Sequence, residues 1–296
     1  MIGYYLFLGF EKFLMLLPHS WRKALFISLA GLAYIIDKKH RRIVEQNLRL
    51  IYGDEISKER IEEITRYNYK NLVLNLLFTI ERQHMTLEAF RDTLTLENFE
   101  QIERIQKEGR PIIFVAAHYG QWEIGASGTS AFATPVSAIY KTMSNPYFEK
   151  YLVASRARFR MTNIPHHGAL KPLIKALRKK EAIALLADTN TKERDGVVVN
   201  FLGKPTLQVT TPAMLARKFN AAIIPVSAST EDHEHYILKL HDEITFTKTD
   251  DEEADIKVIT QDIADWISKL IYDDPRPWFW LHRRWKNDYP EIYKKK

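Results

Sequence analysis

The chain of 296 residues contains no cysteine, which excludes disulfide bonds, thiolate metal sites and cysteine nucleophiles. It also lacks G-x-x-x-x-G-K-[ST] and G-x-G-x-x-G, so nothing supports a nucleotide site. No G-x-S-x-G elbow is present, which argues against a serine hydrolase. The histidines at 166–167 and at 233 and 235 have no carboxylates at convincing ligand spacing. The sequence therefore predicts neither a metal site nor a cofactor.

Acidic residues are fewer than basic ones, and the formal net charge is +6 with an isoelectric point of about 9.2. This balance favours anionic partners. Nucleic acid, an anionic membrane face, a phosphorylated substrate and an acidic carrier protein all satisfy that condition. Charge alone does not choose among them.

Two apolar runs open the chain. Residues 1–17 are apolar apart from Glu11 and Lys12, and residues 24–36 form the second run. A membrane-spanning helix needs roughly 20 apolar residues, so the first run is near the lower limit. No positively charged segment precedes it, which argues against a secretory signal.

A basic cluster, KKHRR at residues 38–42, follows the apolar runs. We therefore expect residues 1–40 to be a membrane-anchoring helical segment, with the cluster against anionic headgroups on the cytoplasmic side. The alternative is a pair of core helices in a soluble domain, because Pro18-His19-Ser20 is an ordinary turn between helices.

Amphipathic helical patterns alternate with short apolar runs in the rest of the chain, and no domain break follows residue 40. Helices are predicted at residues 41–52, 58–81, from 99, 146–160, 170–180, 210–219 and 254–272. Strands are predicted at residues 94–98, 111–117, 136–141, 182–188, 221–229 and 235–246. The expected fold class is α/β, with a mixed, mostly parallel sheet flanked by helices on both faces.

The segment PIIFVAAHYGQWE, residues 111–123, carries the strongest chemical signal. A buried strand ends at His118, and Glu123 follows a small turn. At a strand tip, where open α/β sheets place their ligands, an imidazole can act as a general base and a carboxylate can fix its tautomer. The alternative is a helix-capping histidine beside a surface glutamate.

Four more residues are candidates for substrate contacts. Asp188 ends the strand at 182–188, although an acid there also caps helices or forms Asx-turns. Arg156 and Arg158 suit phosphate recognition, but on a helix they diverge and equally describe a solvated basic face. Lys141 follows the strand at 136–141 and could join them.

The segment from Pro277 to Lys286, PWFWLHRRWK, is dense in aromatic and cationic side chains. It suits stacking on a membrane interface or on a carrier. It equally suits a terminal strand with cation–π contacts.

Several of these stretches, taken in order, resemble the late acyltransferases of lipid A biosynthesis, the lauroyl/myristoyl acyltransferase family within the glycerolipid acyltransferase-like superfamily. The matching pieces span most of the chain: RRIVEQNL, AAHYGQWE, ADTN, NFLGKP followed by TTPAMLARKFNAAIIP, and WFWLHRRWK. The H-x-x-x-x-E motif alone is shared by many glycerolipid acyltransferases, whereas the ordered set is specific.

The resemblance implies an enzyme of the bacterial inner membrane with its active site on the cytoplasmic face. Residues 41–296 would form the acyltransferase domain. It would move a fatty acyl group from acyl carrier protein onto a hydroxyl of a lipid A precursor, next to inner-membrane lipids and without nucleic acid. His118 and Glu123 match the family's catalytic pair, with His118 as base.

Among the substrate-contact candidates, Arg156 and Arg158 match the family's R-x-R, and Asp188 matches its acid after the second strand. The chain departs from the family's Y-R-P at Tyr140-Lys141-Thr142 and from its D-x-D at Asp188-Thr189-Asn190. Two other readings stay open. One is an acyltransferase of the same superfamily with another acceptor, such as a lysophospholipid or a glycolipid. The other is a non-catalytic, basic membrane-surface protein.

Overall fold

The computed structural model describes residues 2–294, so the first residue of the predicted N-terminal helix and the last two residues of the predicted domain lie outside it. The helices in the described part are α1 Ile2–Leu16, α2 His19–Ile36, α3 Lys38–Tyr52, α4 Lys58–Arg82, α5 Leu87–Asp92, α6 Glu100–Lys107, α7 Trp122–Phe132, α8 Pro146–Ala157, α9 Leu170–Arg178, α10 Thr211–Phe219 and α11 Glu252–Asp273.

The strands are β1 Leu94–Glu97, β2 Ile112–Ala116, β3 Val136–Tyr140, β4 Thr162–Pro165, β5 Ala182–Leu186, β6 Gly196–Phe201, β7 Lys204–Val209, β8 Ala222–Ser229 and β9 Tyr236–Leu240. Seven of them form a sheet in the order β1-β9-β8-β2-β5-β3-β4. Strands β8, β2, β5, β3 and β4 run parallel, whereas β9 is antiparallel to β8 and pairs in parallel with β1. The predicted mixed, mostly parallel sheet is therefore confirmed.

Helices cover both faces of this sheet, as predicted. Because side chains on a strand alternate between its two faces, each strand contributes to both buried layers. Ile113 and Val115 of β2 lie in one buried layer with α9, α10 and α11. Ile112 and Phe114 lie in the other layer with α5, α6 and α7. The carboxyl ends of the five parallel strands then share one edge of the sheet.

The two N-terminal helices form a pair that packs on α4 through Leu14, Phe26, Leu74, Leu77 and Ile80. Away from that contact, α2 exposes a stripe at helical spacing: Trp21, Leu25, Leu29, Leu32 and Ile36. None of the helices within residues 2–294 combines the length and the apolar composition needed to cross a bilayer. The membrane association expected of residues 1–40 stays a prediction.

Several segments differ from the sequence expectation. Helices α5 and α7 were not predicted, and the strand predicted at 235–246 ends at Leu240. Strand β4 and the antiparallel hairpin of β6 and β7 were not predicted, because the first is short and the second contains NFLGKP, which turns at Leu202-Gly203 with positive φ at both residues. The aromatic segment after Pro277 is not a regular strand. Its Trp278, Trp280 and Trp285 are buried, so these side chains belong to the core.

The apolar side chains of α4 are not all buried. Leu76 has 55% of its surface exposed. The face turned toward the sheet instead carries three asparagines: Asn68, Asn71 and Asn75.

Candidate active site

His118 and Asp188 meet at the carboxyl edge of the sheet. Strands β2 and β5 are neighbours, and Ala116 pairs in register with Leu186. Both chemical groups lie two residues beyond that pair. The Nδ1 atom of His118 is 2.8 Å from Oδ1 of Asp188, and the backbone N–H of His118 donates to Oδ2 at 2.8 Å. Trp278 Nε1 donates to the same Oδ2 at 2.8 Å.

This contact fixes the protonation of both groups. Burial alone would raise the pKa of Asp188, but the charge and hydrogen bonds of His118 outweigh it and hold the pKa at about 2. The ionised carboxylate can only accept, so Nδ1 of His118 carries the proton. Burial disfavours a charged His118, yet Asp188 outweighs that effect and raises the pKa of the imidazole. The Nε2 atom has no partner within residues 2–294 and is free to accept a proton.

Glu123 does not take the position that the sequence predicted for it. Within the described residues it makes no hydrogen bond to His118, and its carboxylate instead contacts two arginines. Arg156 donates from Nε at 2.9 Å and also from Nη2, and Nη2 of Arg82 is 3.6 Å away. The expectation that Glu123 orients the imidazole is corrected, since Asp188 occupies that position. The reason is local: Glu123 lies in the first turn of α7, beyond the turn that follows β2.

Arg82 is fully buried and was missed by sequence reasoning. Besides Glu123 it contacts Ser127 Oγ at 3.0 Å and Ser155 Oγ at 3.2 Å. Burial lowers the pKa of its guanidinium. Burial favours neutral Glu123, but Arg156 and Arg82 outweigh this and lower its pKa. Glu123 is therefore the anion at the centre of a cationic cluster.

The four residues predicted to contact substrate have different partners and different exposure in the structure. Both carboxylate oxygens of Asp188 are occupied from within the protein, so the geometry gives it an orienting role. Arg156 binds Glu123, whereas Arg158 is exposed and donates to the carbonyl of Met85 at 2.6 Å. The predicted divergence of the two arginines is confirmed. Lys141 is exposed, just beyond the end of β3.

The turn at residues 118–121 has nearly all its backbone groups engaged. Gly120 and Gln121 donate their N–H groups to Pro277 O and Ala228 O. Gly120 has φ +56°, and a Cβ there would lie 2.0 Å from the carbonyl oxygen of Ala228. Only glycine fits that position. The first two amides of α7, at residues 122 and 123, have no partner in the described part of the chain.

Buried asparagines on α3 and α4 hold the two irregular segments around the site. Asn71 and Asn75 both donate to the carbonyl of Gly120, at 3.0 and 2.8 Å. Asn68 donates to Arg276 O at 2.9 Å. Asn47 donates to the carbonyls of Trp280 and His282 at 2.8 and 2.9 Å. Residues 68, 71 and 75 are spaced so that they lie on one face of a helix. This polar face was the sequence signal from which their contacts with the two segments could have been predicted.

Two cavities lie near the carboxyl edge of the sheet. One is a narrow slot of about 70 Å³ beside α7, lined mainly by small and apolar residues together with polar or charged ones: Tyr140, Asn163, Glu123 and Arg156. Trp122, whose ring centroid is 5.4 Å from that of His118, also lines it. The other is a small pocket lined by His118, Asp188, Thr189, Trp278, Phe279 and His282. Burial lowers the pKa of His282 to about 4, so that ring is neutral near pH 7. The first cavity has a mainly apolar lining, and the second is lined by polar and aromatic side chains.

The site thus offers a base with a defined tautomer, two free amides at a helix start and an apolar slot. Within residues 2–294, no cluster of three histidine or acidic side chains is placed to hold a metal ion.

Comparison with known proteins gives the family. The sequence model described as bacterial lipid A biosynthesis acyltransferase matches residues 1–287. A lipid A biosynthesis lauroyltransferase of Escherichia coli is 25% identical over 276 residues, covering 91% of this chain and 87% of that protein. A lipid A biosynthesis acyltransferase of Haemophilus influenzae is 25% identical over 254 residues, covering 85% and 79%.

A phosphatidylinositol mannoside acyltransferase of Mycolicibacterium smegmatis is 25% identical over 184 residues, covering 61% of this chain and 58% of that protein. The family match spans nearly the whole chain, and it includes every candidate site residue. This protein therefore belongs to the bacterial lipid A biosynthesis acyltransferase family.

Proposed function

We propose that the protein transfers a fatty acyl chain from acyl carrier protein to a hydroxyl of a lipid A precursor, at the cytoplasmic face of the inner membrane. The family supports the reaction class. The donor, the acceptor hydroxyl and the role of each residue are our proposal.

The observation that carries this proposal is the His118–Asp188 pair, which leaves Nε2 as a free base. Trp122, whose ring centroid is 5.4 Å from that of His118, lines the mainly apolar slot. His118 Nε2 takes the proton of the acceptor hydroxyl, and the alkoxide oxygen attacks the thioester carbonyl. The resulting oxyanion lies against the free amides of Trp122 and Glu123, at the positive end of α7. When the C–S bond breaks, the imidazolium returns the proton to the thiolate. The products are the ester and the free thiol of the carrier.

The choice of oxyanion donors follows from which amides of the turn are free. Those of Gly120 and Gln121 already bind carbonyl groups. The backbone amides of Trp122 and Glu123 are the two that remain available. Glu123 then supplies a backbone donor, while its carboxylate holds Arg156 and Arg82 in place.

The exposed stripe on α2 supports membrane association. Its five apolar side chains lie on one helix face, and α1 also exposes three apolar side chains: Leu6, Phe13 and Leu16. An amphipathic pair of this kind inserts its apolar side chains into the interface. We propose that α1 and α2 rest on the inner membrane from which the lipid acceptor is drawn.

The central test is His118→Ala in a strain from which the wild-type gene has been deleted. Mass spectrometry of lipid A should show a species lacking one acyl chain, and the wild-type gene should restore it. His118→Ala should fail to restore it, since general base catalysis contributes on the order of a hundredfold to ten-thousandfold. His167→Ala, at an exposed loop histidine, is the matched control and should complement. Complementation by His118→Ala would contradict the assignment.

A second candidate is acyl transfer to a different glycolipid or to a lysophospholipid. The similarity to the phosphatidylinositol mannoside acyltransferase supports this second candidate. An unchanged lipid A profile in the deletion strain, with one acyl chain missing from another lipid, would select this function.

A further inference from the structure

Glu11 interrupts the apolar run of α1, and its side chain is buried: only 5% of its surface is exposed. Its Oε1 atom accepts a hydrogen bond from the hydroxyl of Tyr151 at 2.7 Å and lies 2.8 Å from Nε2 of His84. Burial, together with Glu11, raises the pKa of Tyr151, so the hydroxyl keeps its proton and donates. An acid weakens an apolar anchor, because acidic side chains are costly in a bilayer. The presence of Glu11 in α1 is therefore explained by its contacts with the rest of the protein.

The same face of α1 carries two aromatic side chains that pack on α8. Tyr4, Phe7 and Glu11 are spaced three and four residues apart, so they lie on one side of the helix. The ring of Tyr4 stacks on that of Tyr147, with centroids 5.5 Å apart, and the ring of Phe7 is edge-on to that of Tyr151 at 5.1 Å. The three exposed apolar side chains of α1 named above lie on the opposite side. Helix α1 thus has a face that is specific for α8.

Helix α8 depends on this contact, because it has little buried surface of its own. Ser155 is the only one of its residues that is buried. Most helices in proteins are stabilised by packing an apolar face against the core rather than by their intrinsic propensity. The aromatic contacts and the hydrogen bond from α1 therefore help to determine where α8 lies.

Helix α8 in turn binds the polar and charged side chains that line the slot beside α7: Tyr140, Asn163, Glu123 and Arg156. The hydroxyl of Tyr140 donates to Glu149 of α8 at 3.1 Å. The Nδ2 atom of Asn163 donates to the carbonyl of Val153, also in α8, at 3.2 Å. Arg156 belongs to α8 and donates from Nε to Glu123 at 2.9 Å. A shift of α8 would move all four of these side chains or remove their partners.

We propose that Glu11 is a positioning residue for the slot. Through Tyr151 it holds α8, and α8 holds the polar lining of the slot that, under the proposed function on which this inference rests, receives the acyl chain of the donor. The N-terminal helix then takes part in recognising the donor, in addition to any contact with the membrane.

The test compares Glu11→Leu with Lys12→Leu in the full-length protein. Both variants replace a polar side chain of α1 by the same apolar one, but Lys12 is exposed whereas Glu11 is buried against α8. If α1 acted only as an apolar anchor, the two variants would behave alike. If Glu11 positions α8, only Glu11→Leu changes the recognition of the donor.

The assay is acyl transfer in detergent from acyl carrier protein donors that differ in chain length. Glu11→Leu should raise the KM for the preferred donor by roughly fivefold, the effect of one hydrogen bond, and should reduce the discrimination among chain lengths. The kcat should be retained, because the His118–Asp188 pair at the ends of β2 and β5 is left intact. Lys12→Leu should keep the wild-type KM and the wild-type preference.

Two further variants separate the hydrogen bond from a general loss of stability. Tyr151→Phe removes only the hydroxyl and keeps the ring against Phe7, so it should raise KM as Glu11→Leu does. Combining the two changes should raise KM little further, because both remove the same interaction. Glu11→Gln keeps an oxygen acceptor for Tyr151 and should retain most of the donor recognition.

Hydrogen–deuterium exchange gives a readout that does not depend on turnover. The amides of α8 should exchange faster in Glu11→Leu and in Tyr151→Phe than in the wild type or in Lys12→Leu, while those of β2 and β5 keep their protection. Wild-type exchange of α8 in both variants would overturn the proposal. An equal loss of protection in β2 would also contradict it, since Glu11 would then support the fold as a whole.

The kinetic outcomes are equally decisive. A wild-type donor KM in both Glu11→Leu and Tyr151→Phe, or the same rise in Lys12→Leu, would overturn the proposal. A fall in kcat with KM unchanged would place the effect of Glu11 at the acid–base centre and contradict it as well. No transfer by the wild type from any donor would instead contradict the proposed function, and the exchange of α8 would still decide whether Glu11 positions that helix.

Discussion

Asp188→Asn tests the catalytic geometry most directly, because the two side chains have nearly the same shape. In the wild type, Oδ2 receives two N–H donors, from His118 and from Trp278, and Oδ1 faces Nδ1 of His118. The amide oxygen of the variant must take the place of Oδ2 to satisfy those donors. Its NH₂ group then faces Nδ1.

That orientation reverses the tautomer of the base. An NH₂ group can only donate, so Nδ1 of His118 must accept and the ring proton moves to Nε2. The atom that should take the acceptor's proton is then already protonated. We expect kcat/KM to fall by on the order of a hundredfold to ten-thousandfold.

The assay is acyl transfer as a function of pH, with the nitrogen chemical shifts of labelled histidine as the direct readout of the tautomer. Loss of the Asp188 charge should lower the pKa of His118, so the acidic limb of kcat/KM should move to lower pH. Asp255→Asn is the matched control, since it alters a buried carboxylate that binds Arg217 outside the site. It should lower stability and leave the kcat/KM of the folded protein unchanged. Wild-type kcat/KM in Asp188→Asn would refute the tautomer argument.

The remaining predictions concern the surroundings of the base. Glu123→Gln should lower the free energy of unfolding by about 3–5 kcal/mol, measured by denaturant titration, because it leaves Arg82 buried without its counterion. Ala184→Leu should shift donor preference to shorter acyl chains, by roughly fourfold in kcat/KM per methylene excluded, because Ala184 lies in the slot in register with Phe114. Combining Asn71→Leu with Asn75→Leu should lower kcat with KM retained, since the carbonyl of Gly120 loses both donors and the turn that carries His118 shifts.

Each of these has a control within the chain. Ser127→Ala removes a partner of Arg82 but keeps its counterion, so a loss equal to that of Glu123→Gln would contradict the ion-pair argument. Ala184→Ser changes the slot little, and an equal loss with every chain length in Ala184→Leu would indicate a folding defect. For the asparagines, either single variant keeps one hydrogen bond to Gly120 and should retain most of kcat. If either single variant lost as much kcat as the double variant, one hydrogen bond to Gly120 would not be sufficient to hold the turn, and this reasoning would be wrong.

The regular elements could be predicted from the sequence because their signals are local. The apolar run before His118 and the run before Asp188 are short, continuous and flanked by polar residues, and both form buried parallel strands. The hairpin at residues 196–209 lacks such a signal, because its strands are half exposed and separated by only Leu202 and Gly203.

The partner of His118 could not be predicted in the same way, because it lies 70 residues away in the chain. Its position depends on β2 and β5 being neighbours, and strand order is not encoded in any local pattern. The asparagines of α4 were overlooked for a related reason. A polar residue on an otherwise apolar helix appears solvent-exposed until the carbonyl it binds is brought against it.

Sequence proximity is misleading at the H-x-x-x-x-E motif for a physical reason. After β2 the chain turns through Gly120 and immediately begins α7, which points the Glu123 side chain at α4 and α8 rather than back at the strand tip. The short spacing still has a function, because it ties the base to the helix whose first amides can receive the oxyanion. It also fixes that helix to Arg82 and Arg156. On this account the glutamate determines where α7 begins relative to His118, and the distant Asp188 determines the proton state of the ring.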